Sequence, residues 1–402
     1  MKPLLILPIF AAMTVQSPAA PQAEPAAGSA ALASNHLAFD LLSRTAAGSA
    51  TDTAFSPFSI WMALTLTSAG ADGKTLEEMR KMLDLPGDDS IHAAAGEWSA
   101  RLRKLKDVDM NVANRLWVQS GLKLLPAFSG IASKDYDSGV AMTDFWHETP
   151  AAVNAINQWI AQQTHDRIKD LLHAGDLTAQ TRLVVTNAVY FKAKWLSPFE
   201  AEDTHKRTFH RETGGEIQAD MMSATRNVLY AENDWAQAVR LPYVGGETSM
   251  IVILPHQGTK ISEAVAKLGP DSFANLMKSL ASTKTFLLLP RFQSEARMEL
   301  SQVLGALGMK SAFSSEADFS KITHDEPLAI STVIHQAFVR VAEEGTEAAA
   351  ATAVGIKALA MRPPTVKPKE FIADHPFLYF IMDDTTGGIL FAGAVMAPAW
   401  KS

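Results

Sequence analysis

The stretch that decides the fold is residues 332–354, TVIHQAFVRVAEEGTEAAAATAV. Its first half is rich in β-branched and aromatic side chains, which predicts a strand. From Glu343 onward the side chains become small, no charge follows Glu347, and there is no proline. If this second half is also a strand, residues 346, 348, 350 and 352 share one face, and that face carries only Thr and Ala.

Two conformations fit this Ala-rich half. An extended segment with a small, uncharged face can lie against a packed layer without burying charge. A helix is the alternative, because alanine has the highest helix propensity. The residues that follow, 357–368, contain basic side chains and the pair Pro363-Pro364, which predicts an exposed loop. Composition alone leaves the two conformations open.

Helix patterns dominate the chain before this stretch, and strand patterns surround it. Apolar spacing predicts helices over residues 31–45, 58–69, 91–106 and 151–163. Thr75 and Glu78 have the spacing of a capping box for one further short helix. Strand-forming runs lie at 182–195, 248–254, 284–290, 328–341, 378–381 and 389–395. Helices early and strands late, without a repeat or a long linker, predict one large α+β domain.

The composition excludes several classes of function. The chain has 402 residues, of which 47% are hydrophobic and 20% charged, and this is the balance of a globular protein with a large core. Disulfides, thiol catalysis and zinc–thiolate sites are excluded because there is no cysteine. The net charge of -7 shows no basic excess of the kind that binds nucleic acid. The histidines lack metal-ligand spacing, so the sequence predicts neither a metal nor a cofactor.

Enzyme motifs are also missing. No H-E-x-x-H, G-x-S-x-G or G-x-G-x-x-G occurs in the chain. Residues 68–75 end like a phosphate-binding loop, but Ser68 replaces its first glycine and a helix pattern precedes it. A hydrolase that uses Ser249 and His256 is an alternative without a supporting motif. The sequence therefore predicts a protein that is not an enzyme.

The N-terminus has the composition of a secretory signal. Lys2 precedes an apolar run that is too short to span a bilayer, and small residues follow it. We expect cleavage within residues 19–23, which indicates a secreted or periplasmic protein. The expected organisation is a signal peptide over 1–23, a flexible lead-in over 24–30 and the domain over 31–402.

These features and a set of short motifs resemble the serpins, a family of serine protease inhibitors. Residues 343–352 are similar to the proximal hinge of the serpin reactive-centre loop. The other matches are SPFSI (56–60), GADGKT (70–75), NRLW (114–117), INQWI (156–160), TNAVYFKAKW (186–195), LPRF (289–292), ADFS (317–320) and DHPFL (374–378). Gln336 and Ala342 differ from the residues that are common at these positions in the family. Both lie before the hinge, so the hinge pattern is intact.

The resemblance implies an α+β fold with three β-sheets, about nine helices and an exposed reactive-centre loop over about 343–368. In this family a serine protease attacks a bond in the loop and forms an acyl-enzyme. The cut loop then inserts into the largest sheet as a new strand, and the protease stays trapped. Such an inhibitor is a suicide substrate with a metastable fold. The implied hinge residues are Glu343, Gly345, Thr346, Ala348, Ala349, Ala350, Ala351 and Thr352.

The family's usual spacing, counted from Glu343, places the reactive bond between Leu359 and Ala360. A leucine there suits a chymotrypsin-like or elastase-like protease. If the position of the bond is instead counted from Pro363 and Pro364, the bond follows Ala360 or Met361. A trypsin-like target would cut after Arg362 or Lys357. A cysteine protease is a further alternative target. The implied partner is thus a protease, held in a covalent acyl complex. The chain itself is expected to be a monomer that binds neither nucleic acid nor a membrane.

The resemblance implies two structural sites as well. A buried polar cluster beneath the opening sheet is expected from Ser56, Ser59, Asn187 and His335, and Trp195 matches the aromatic residue where insertion starts. In some serpins a helix binds polyanionic glycans, and its counterpart here carries Arg101, Arg103, Lys104 and Lys106. Acidic residues follow these four, which favours a solvated face.

Two functions remain open at this stage. The first is inhibition of a serine protease. The second is a serpin fold that no longer inhibits and acts as a carrier or chaperone. Members of that kind usually have bulky, charged or proline residues in the hinge, whereas residues 348–351 are all alanine, which favours inhibition.

Overall fold

The computed structural model describes residues 25–46, 49–137, 139–346 and 367–400. Most of the predicted hinge, all of the predicted reactive bond and the predicted signal peptide lie outside these ranges. In the described part, no helix is both long and apolar enough to cross a membrane.

Nine α-helices occur in the described residues, and six of them precede residue 183. Their bounds are α1 Pro25–Thr45, α2 Pro57–Ser68, α3 Gly73–Met82, α4 Ser90–Leu102, α5 Pro126–Asp135, α6 Thr149–Gln163, α7 Ile261–Ala266, α8 Pro270–Ser279 and α9 Ser301–Ala306. The helices predicted from apolar spacing correspond to α1, α2, α4 and α6.

The strands are concentrated later in the chain. Their bounds are β1 Thr53–Phe55, β2 Val108–Gln119, β3 Val140–Thr143, β4 Leu183–Lys194, β5 His205–His210, β6 Glu216–Glu232, β7 Ala236–Pro242, β8 Thr248–Pro255, β9 Ala281–Pro290, β10 Phe292–Glu299, β11 Ile330–Ala342, β12 Gly345–Thr346, β13 Lys369–Ile372, β14 Phe377–Asp383 and β15 Gly388–Val395. The six predicted runs correspond to β4, β8, β9, β11, β14 and β15, so the α+β class is confirmed.

The described strands form two hydrogen-bonded networks. The larger has the order β1-β15-β14-β8-β7-β6-β9-β13, with β5 beside β6. β6 is 17 residues long and pairs with β5 over residues 216–221, with β9 over residues 221–230 and with β7 over residues 229–232. Two of the three expected sheets are therefore joined through this one strand.

The smaller network, of order β10-β11-β12-β4-β2-β3, carries the features relevant to function. β11 and β4 are direct parallel neighbours from the pair Ile330 and Leu183 to the pair Phe338 and Tyr190. Beyond that point the two-residue strand β12 lies between them and pairs antiparallel with both. The central strands are thus closed along most of their length and separated at one end.

Both faces of this sheet are covered. Val185, Val189 and Val333 belong to the main hydrophobic core, which includes α2. Val184, Ala188 and Ile334 point the other way, into a smaller core beneath α6. This alternation is that of strands buried on two sides. Every residue of α2 is buried, so this helix is enclosed on all sides, and Ser56 caps its start by accepting a hydrogen bond from the Ser59 N–H.

The structure corrects two expectations about the helices. Residues 25–30 were expected to be a flexible lead-in, but they form the first turns of α1, and Ala27 and Ala30 are buried. Pro25 at the first helical turn and the alanines after it favour this start.

The expected capping box is also wrong. Thr75 lies inside α3 and accepts a hydrogen bond from the Asp318 N–H, and Glu78 accepts from Ser311.

Candidate functional site: the open end of the smaller sheet

The open end of the smaller sheet is formed by the turn from β11 into β12. Val341 and Ala193 lie opposite Thr346 on the two neighbouring strands, and both are buried in the main core. Paired residues in a sheet share a face, so Thr346 points toward the core. Its exposure is 0%. We call β12, Gly345–Thr346, the wedge.

Gly345 allows the wedge to approach β4. Its φ of 154° is a conformation that residues with a Cβ rarely adopt, and a Cβ built there would lie 2.1 Å from the carbonyl oxygen of Ala193. No side chain longer than hydrogen fits this approach. The glycine is therefore required by both the backbone angle and the contact.

An aromatic pair lies directly beneath the wedge. The hydroxyls of Thr346 and Tyr243 are 2.6 Å apart and share a hydrogen bond. Tyr243 stacks on Trp195, with ring centroids 4.6 Å apart and planes inclined by 8°. Trp195 also donates from its indole Nε1 to the carbonyl of Ala342 and from its backbone N–H to that of Glu344. Trp195, which was named from the sequence, thus binds the turn through the carbonyls of Ala342 and Glu344.

A buried ion pair fixes the same turn. The Arg291 guanidinium donates from Nε to both carboxylate oxygens of Glu343, at 2.6 and 2.8 Å, and Thr204 donates to Oε1 at 2.6 Å. Burial by itself raises the pKa of Glu343, but the hydrogen bonds from Arg291 and Thr204 outweigh it and hold the pKa below its usual value. The Arg291 guanidinium also lies over the ring of Trp400, 5.5 Å from its centroid.

The four polar residues named from the sequence lie together between α2, β4 and β11. His335 and Asn187 are opposite each other on β11 and β4, and their side chains are hydrogen-bonded. The Ser56 N–H donates to His335 Nε2 at 3.1 Å, and Asn187 Nδ2 donates to Ser59 Oγ at 2.6 Å. All four residues are at most 1% exposed.

Asn114, on β2, is a fifth member that the sequence prediction missed. Its Oδ1 accepts from Ser59 Oγ at 2.7 Å and also from Asn187, and its Nδ2 donates to the Ser59 carbonyl at 3.0 Å. The only sequence signal was its place in the NRLW motif (114–117). These five residues, Ser56, Ser59, Asn114, Asn187 and His335, are the polar cluster.

The hydrogen bonds fix the protonation state of His335. Because Nε2 accepts a backbone N–H, the ring hydrogen lies on Nδ1 and is donated to Asn187 Oδ1. Burial lowers the pKa of His335 to about 3. A second proton on Nε2 would face the Ser56 N–H and break the cluster. The polar cluster therefore requires the neutral imidazole.

Other predicted positions have different outcomes. Ala348 to Thr352, Leu359, Ala360, Met361 and Arg362 lie outside the described residues. Of the basic helix, Arg101 pairs with Asp383 and Glu247, and Arg103 pairs with Asp137. These two arginines are paired with acidic residues of the chain itself, so they offer less positive charge to a polyanionic glycan.

The two residues of the hydrolase alternative, Ser249 and His256, do not lie together in the structure. Ser249 lies near the start of β8 and His256 directly follows its end, so seven steps along an extended strand, about 23 Å, separate them. Ser249 donates to Asp384 and accepts from Arg240, whereas His256 bonds the carbonyl of Asn233. In the described part of the chain, no group of three or more His, Asp or Glu side chains is arranged to hold a metal ion.

Comparisons with known proteins agree with this geometry. The family model described as "Serpin (serine protease inhibitor)" matches residues 32–398. An uncharacterized serpin-like protein of Thermococcus kodakarensis is 43% identical over 371 residues, covering 90% of this chain and 84% of the relative. Antichymotrypsin-2 of Bombyx mori is 34% identical over 341 residues, covering 84% of this chain and 90% of the relative.

Among solved structures, human thyroxine-binding globulin, determined in complex with its ligand, superposes with a TM-score of 0.84 at 26% identity. The match covers 93% of this chain and 100% of the other. The family model covers most of the chain, and so do the relatives above 30% identity. The chain therefore belongs to the serpin family.

Proposed function

We propose that this serpin is a suicide-substrate inhibitor of a serine protease. The observation that carries the proposal is the wedge: two residues of the loop's first segment already lie between the two strands that must separate. Thr346 is buried there with a hydrogen bond, and β11 and β4 remain paired below it. Insertion of the following residues would extend a strand that has already begun.

The composition of the next residues supports extension of this strand. Residues 348, 350 and 352 continue the phase of Thr346 and are Ala, Ala and Thr. Burying them adds no charge to the core. Residues 346–359 in extended form would span about 46 Å, so a protease attached at their end would move by most of the length of the molecule.

Inhibition proceeds through an interrupted proteolysis. The protease serine oxygen adds to the carbonyl carbon of Leu359, the bond to the nitrogen of Ala360 breaks, and the nitrogen takes a proton. The products are an ester that links the protease to Leu359 and a new amino terminus at Ala360. Insertion then competes with hydrolysis of the ester, and the inhibitor is consumed in either case.

The target class rests on the residue before the reactive bond. Leu359 suits a chymotrypsin-like or elastase-like pocket. The relative from Bombyx mori bears the name antichymotrypsin, which is compatible with that assignment. Ala360, Met361 and Arg362 remain alternative positions. The N-terminal signal pattern, residues 1–23, supports action in a secreted or periplasmic compartment.

The experiment is incubation of the protein with a panel of serine proteases, followed by a denaturing gel and mass spectrometry. We expect a covalent band at the summed mass of protease and inhibitor, and a released C-terminal fragment that starts at Ala360. A fragment that starts at Met361, Arg362 or Pro363 would shift the assigned reactive bond by one to three residues toward the C-terminus. Cleavage only outside residues 354–364 would contradict the assigned loop.

A non-inhibitory carrier is the second candidate, and the observation that favours it is the similarity to thyroxine-binding globulin. The same gel separates the two functions. A carrier of serpin fold would be cut by the proteases without leaving a covalent band, and protease activity would be unchanged after incubation.

A further inference from the structure

An exposed tryptophan lies at the end of the smaller sheet that is opposite the wedge. Trp146 lies between β3 and α6 and is 58% exposed. Its ring stacks on that of His147, with centroids 5.3 Å apart and planes inclined by 11°, and the guanidinium carbon of Arg182 lies 5.1 Å from its centroid. Arg182 directly precedes β4, whose other end contacts the wedge. We call Trp146, His147 and Arg182 the end platform.

Hydrogen bonds fix the backbone of the end platform although its rings are exposed. Oε1 of Gln119 accepts from the N–H groups of Phe145 and Trp146, at 2.9 and 3.2 Å. Oδ1 of Asp144 accepts from the N–H groups of Trp146 and His147, at 3.1 and 3.0 Å. Phe145 is fully buried and anchors the segment. A side chain held in this way loses less conformational entropy when a partner covers it.

Arg182 joins the end platform to the segment that leads into β4. Its Nη1 donates to the carbonyls of Ala179 and Thr181, at 2.8 and 2.9 Å. Its Nε pairs with Glu326 at 3.0 Å. The ring of Trp146 is thus separated from the backbone of that segment by one guanidinium group.

The register of the wedge determines where an inserted strand would end. Thr346 lies opposite Ala193, and an antiparallel strand that continues from Thr346 moves back along β4 toward its first residue. In that register Leu359 would lie level with Gln180, next to the carbonyls that Arg182 binds. A reactive bond one to three residues later would lie at the same end of the sheet.

We propose that the end platform is a docking surface for the trapped protease. This inference rests on the proposed function, in which an ester links the protease to Leu359. A protease domain of roughly 230 residues has a radius of gyration of about 17 Å, so a domain attached beside Gln180 covers the surface around its attachment point. Tryptophan is among the residues that contribute most to binding at protein interfaces.

The docking contact forms only after the loop has inserted. It therefore changes neither the cleavage of the reactive bond nor the competition between insertion and hydrolysis. It acts on the trapped complex, because the protease must recover its catalytic geometry before it can hydrolyse the ester. A contact with Trp146 that exists only in the displaced position opposes this recovery and lengthens the lifetime of the complex.

The first test is hydroxyl-radical footprinting of the covalent complex with chymotrypsin, read by mass spectrometry. The comparison is the cut inhibitor that hydrolysis of the ester releases in the same incubation, which has no protease attached. We expect oxidation of Trp146 to be lower in the complex by roughly threefold or more, because an interface excludes water from its central residues. Leu32, which is 61% exposed on α1, should be oxidised equally in both. Equal oxidation of Trp146 in the two species would overturn the assignment.

The second test is the lifetime of the complex. Trp146→Ala should give the covalent band at the same rate and yield, and should then release active protease about tenfold faster than the unmodified chain. Trp146→Phe keeps an aromatic ring and should retain most of the lifetime. The matched control Leu32→Ala removes another exposed apolar side chain and should leave the lifetime unchanged.

The outcomes separate this inference from the proposed function. A covalent band whose lifetime is the same with and without Trp146 would overturn the docking surface and leave the inhibitory function in place. If neither chymotrypsin nor any other protease of the panel gives a covalent band, the proposed function fails and the docking surface fails with it.

Discussion

Thr346 is fully buried between two strands, and its hydroxyl has one partner, the phenol of Tyr243. Arg at this position would have to bury a full charge, at an effective cost of several kcal/mol. Each 1.4 kcal/mol added to the insertion barrier slows insertion about tenfold and leaves more time for hydrolysis of the ester. We therefore expect Thr346→Arg to be cut at the same bond but to release active protease.

The measurement is the number of inhibitor molecules consumed for each protease molecule silenced. The matched control is Glu347→Arg, because in the proposed inserted strand the alternation of side chains would direct that position away from the core. It should retain most of the inhibition. If Thr346→Arg traps protease as efficiently as the unmodified chain, insertion does not start at the wedge.

We expect His335 to make the native stability depend on pH. The unfolded chain takes up the histidine proton near pH 6.5, whereas burial delays uptake in the native state to about pH 3. In that window the unfolded state binds more protons, so stability falls as pH decreases. This residue alone should remove about 2 kcal/mol between pH 7 and pH 5.

Urea midpoints at pH 7 and pH 5 measure this contribution. His335→Gln lacks the titrating group, so its midpoint should change less between the two pH values than that of the unmodified chain. Replacement of the exposed His205 by Gln is the control and should keep the full change. Equal pH dependence of His335→Gln and the unmodified chain would show that His335 takes up its proton at the same pH in the native and unfolded states, which contradicts a buried neutral imidazole.

At residue scale, the sequence predicted what strand alternation determines. The face that Thr346 shares with residues 348, 350 and 352 follows from a period of two, whereas the buried position of His335 was implied by the family resemblance. Asn114 and the pair of Arg291 and Glu343 were not predicted, because those contacts join residues that are 52 or more positions apart. Only the packed sheet brings them together.

At the scale of elements, the turn between β11 and β12 is held by the Arg291–Glu343 ion pair, with side-chain exposures of 26% and 9%. Removing one partner of a mostly buried pair leaves the other charge uncompensated. Arg291→Met should therefore lower the free energy of unfolding by about 2 kcal/mol.

A double-mutant cycle with Glu343→Gln measures the coupling between the two residues, and we expect about 1–2 kcal/mol. The exposed pair Lys369 and Glu232 is the matched control, and its coupling should stay below about 1 kcal/mol. A coupling of zero for Arg291 and Glu343 would mean that the ion pair does not hold the turn.

Element prediction succeeded where burial is strong. β4, β11, β14 and β15 are almost entirely buried and rich in β-branched and aromatic residues, and they were found from composition. β2, β6 and β10 were missed because they carry charged, Asn and Ala residues of low strand propensity. Their neighbours in the sheets, which are distant in sequence, supply the hydrogen bonds that make them strands.

At the scale of the whole molecule, the smaller sheet has two arrangements available to it in the proposed mechanism. In the one described, β11 and β4 are parallel neighbours with the wedge at one end. In the other, residues 346–358 would form a full strand between them, which would add two new hydrogen-bonded edges and bury further Ala and Thr side chains. The intact loop prevents this arrangement, so the native fold is metastable on this account.

The most direct test of that claim is thermal melting of the protein before and after its loop is cut by a protease that it does not trap. Cutting a chain normally lowers the melting temperature. Here we expect the cut protein to melt far above the intact one, by tens of degrees, because the freed segment inserts. A cut protein that melts at the same temperature as the intact one, or below it, would contradict loop insertion and with it the proposed mechanism of inhibition.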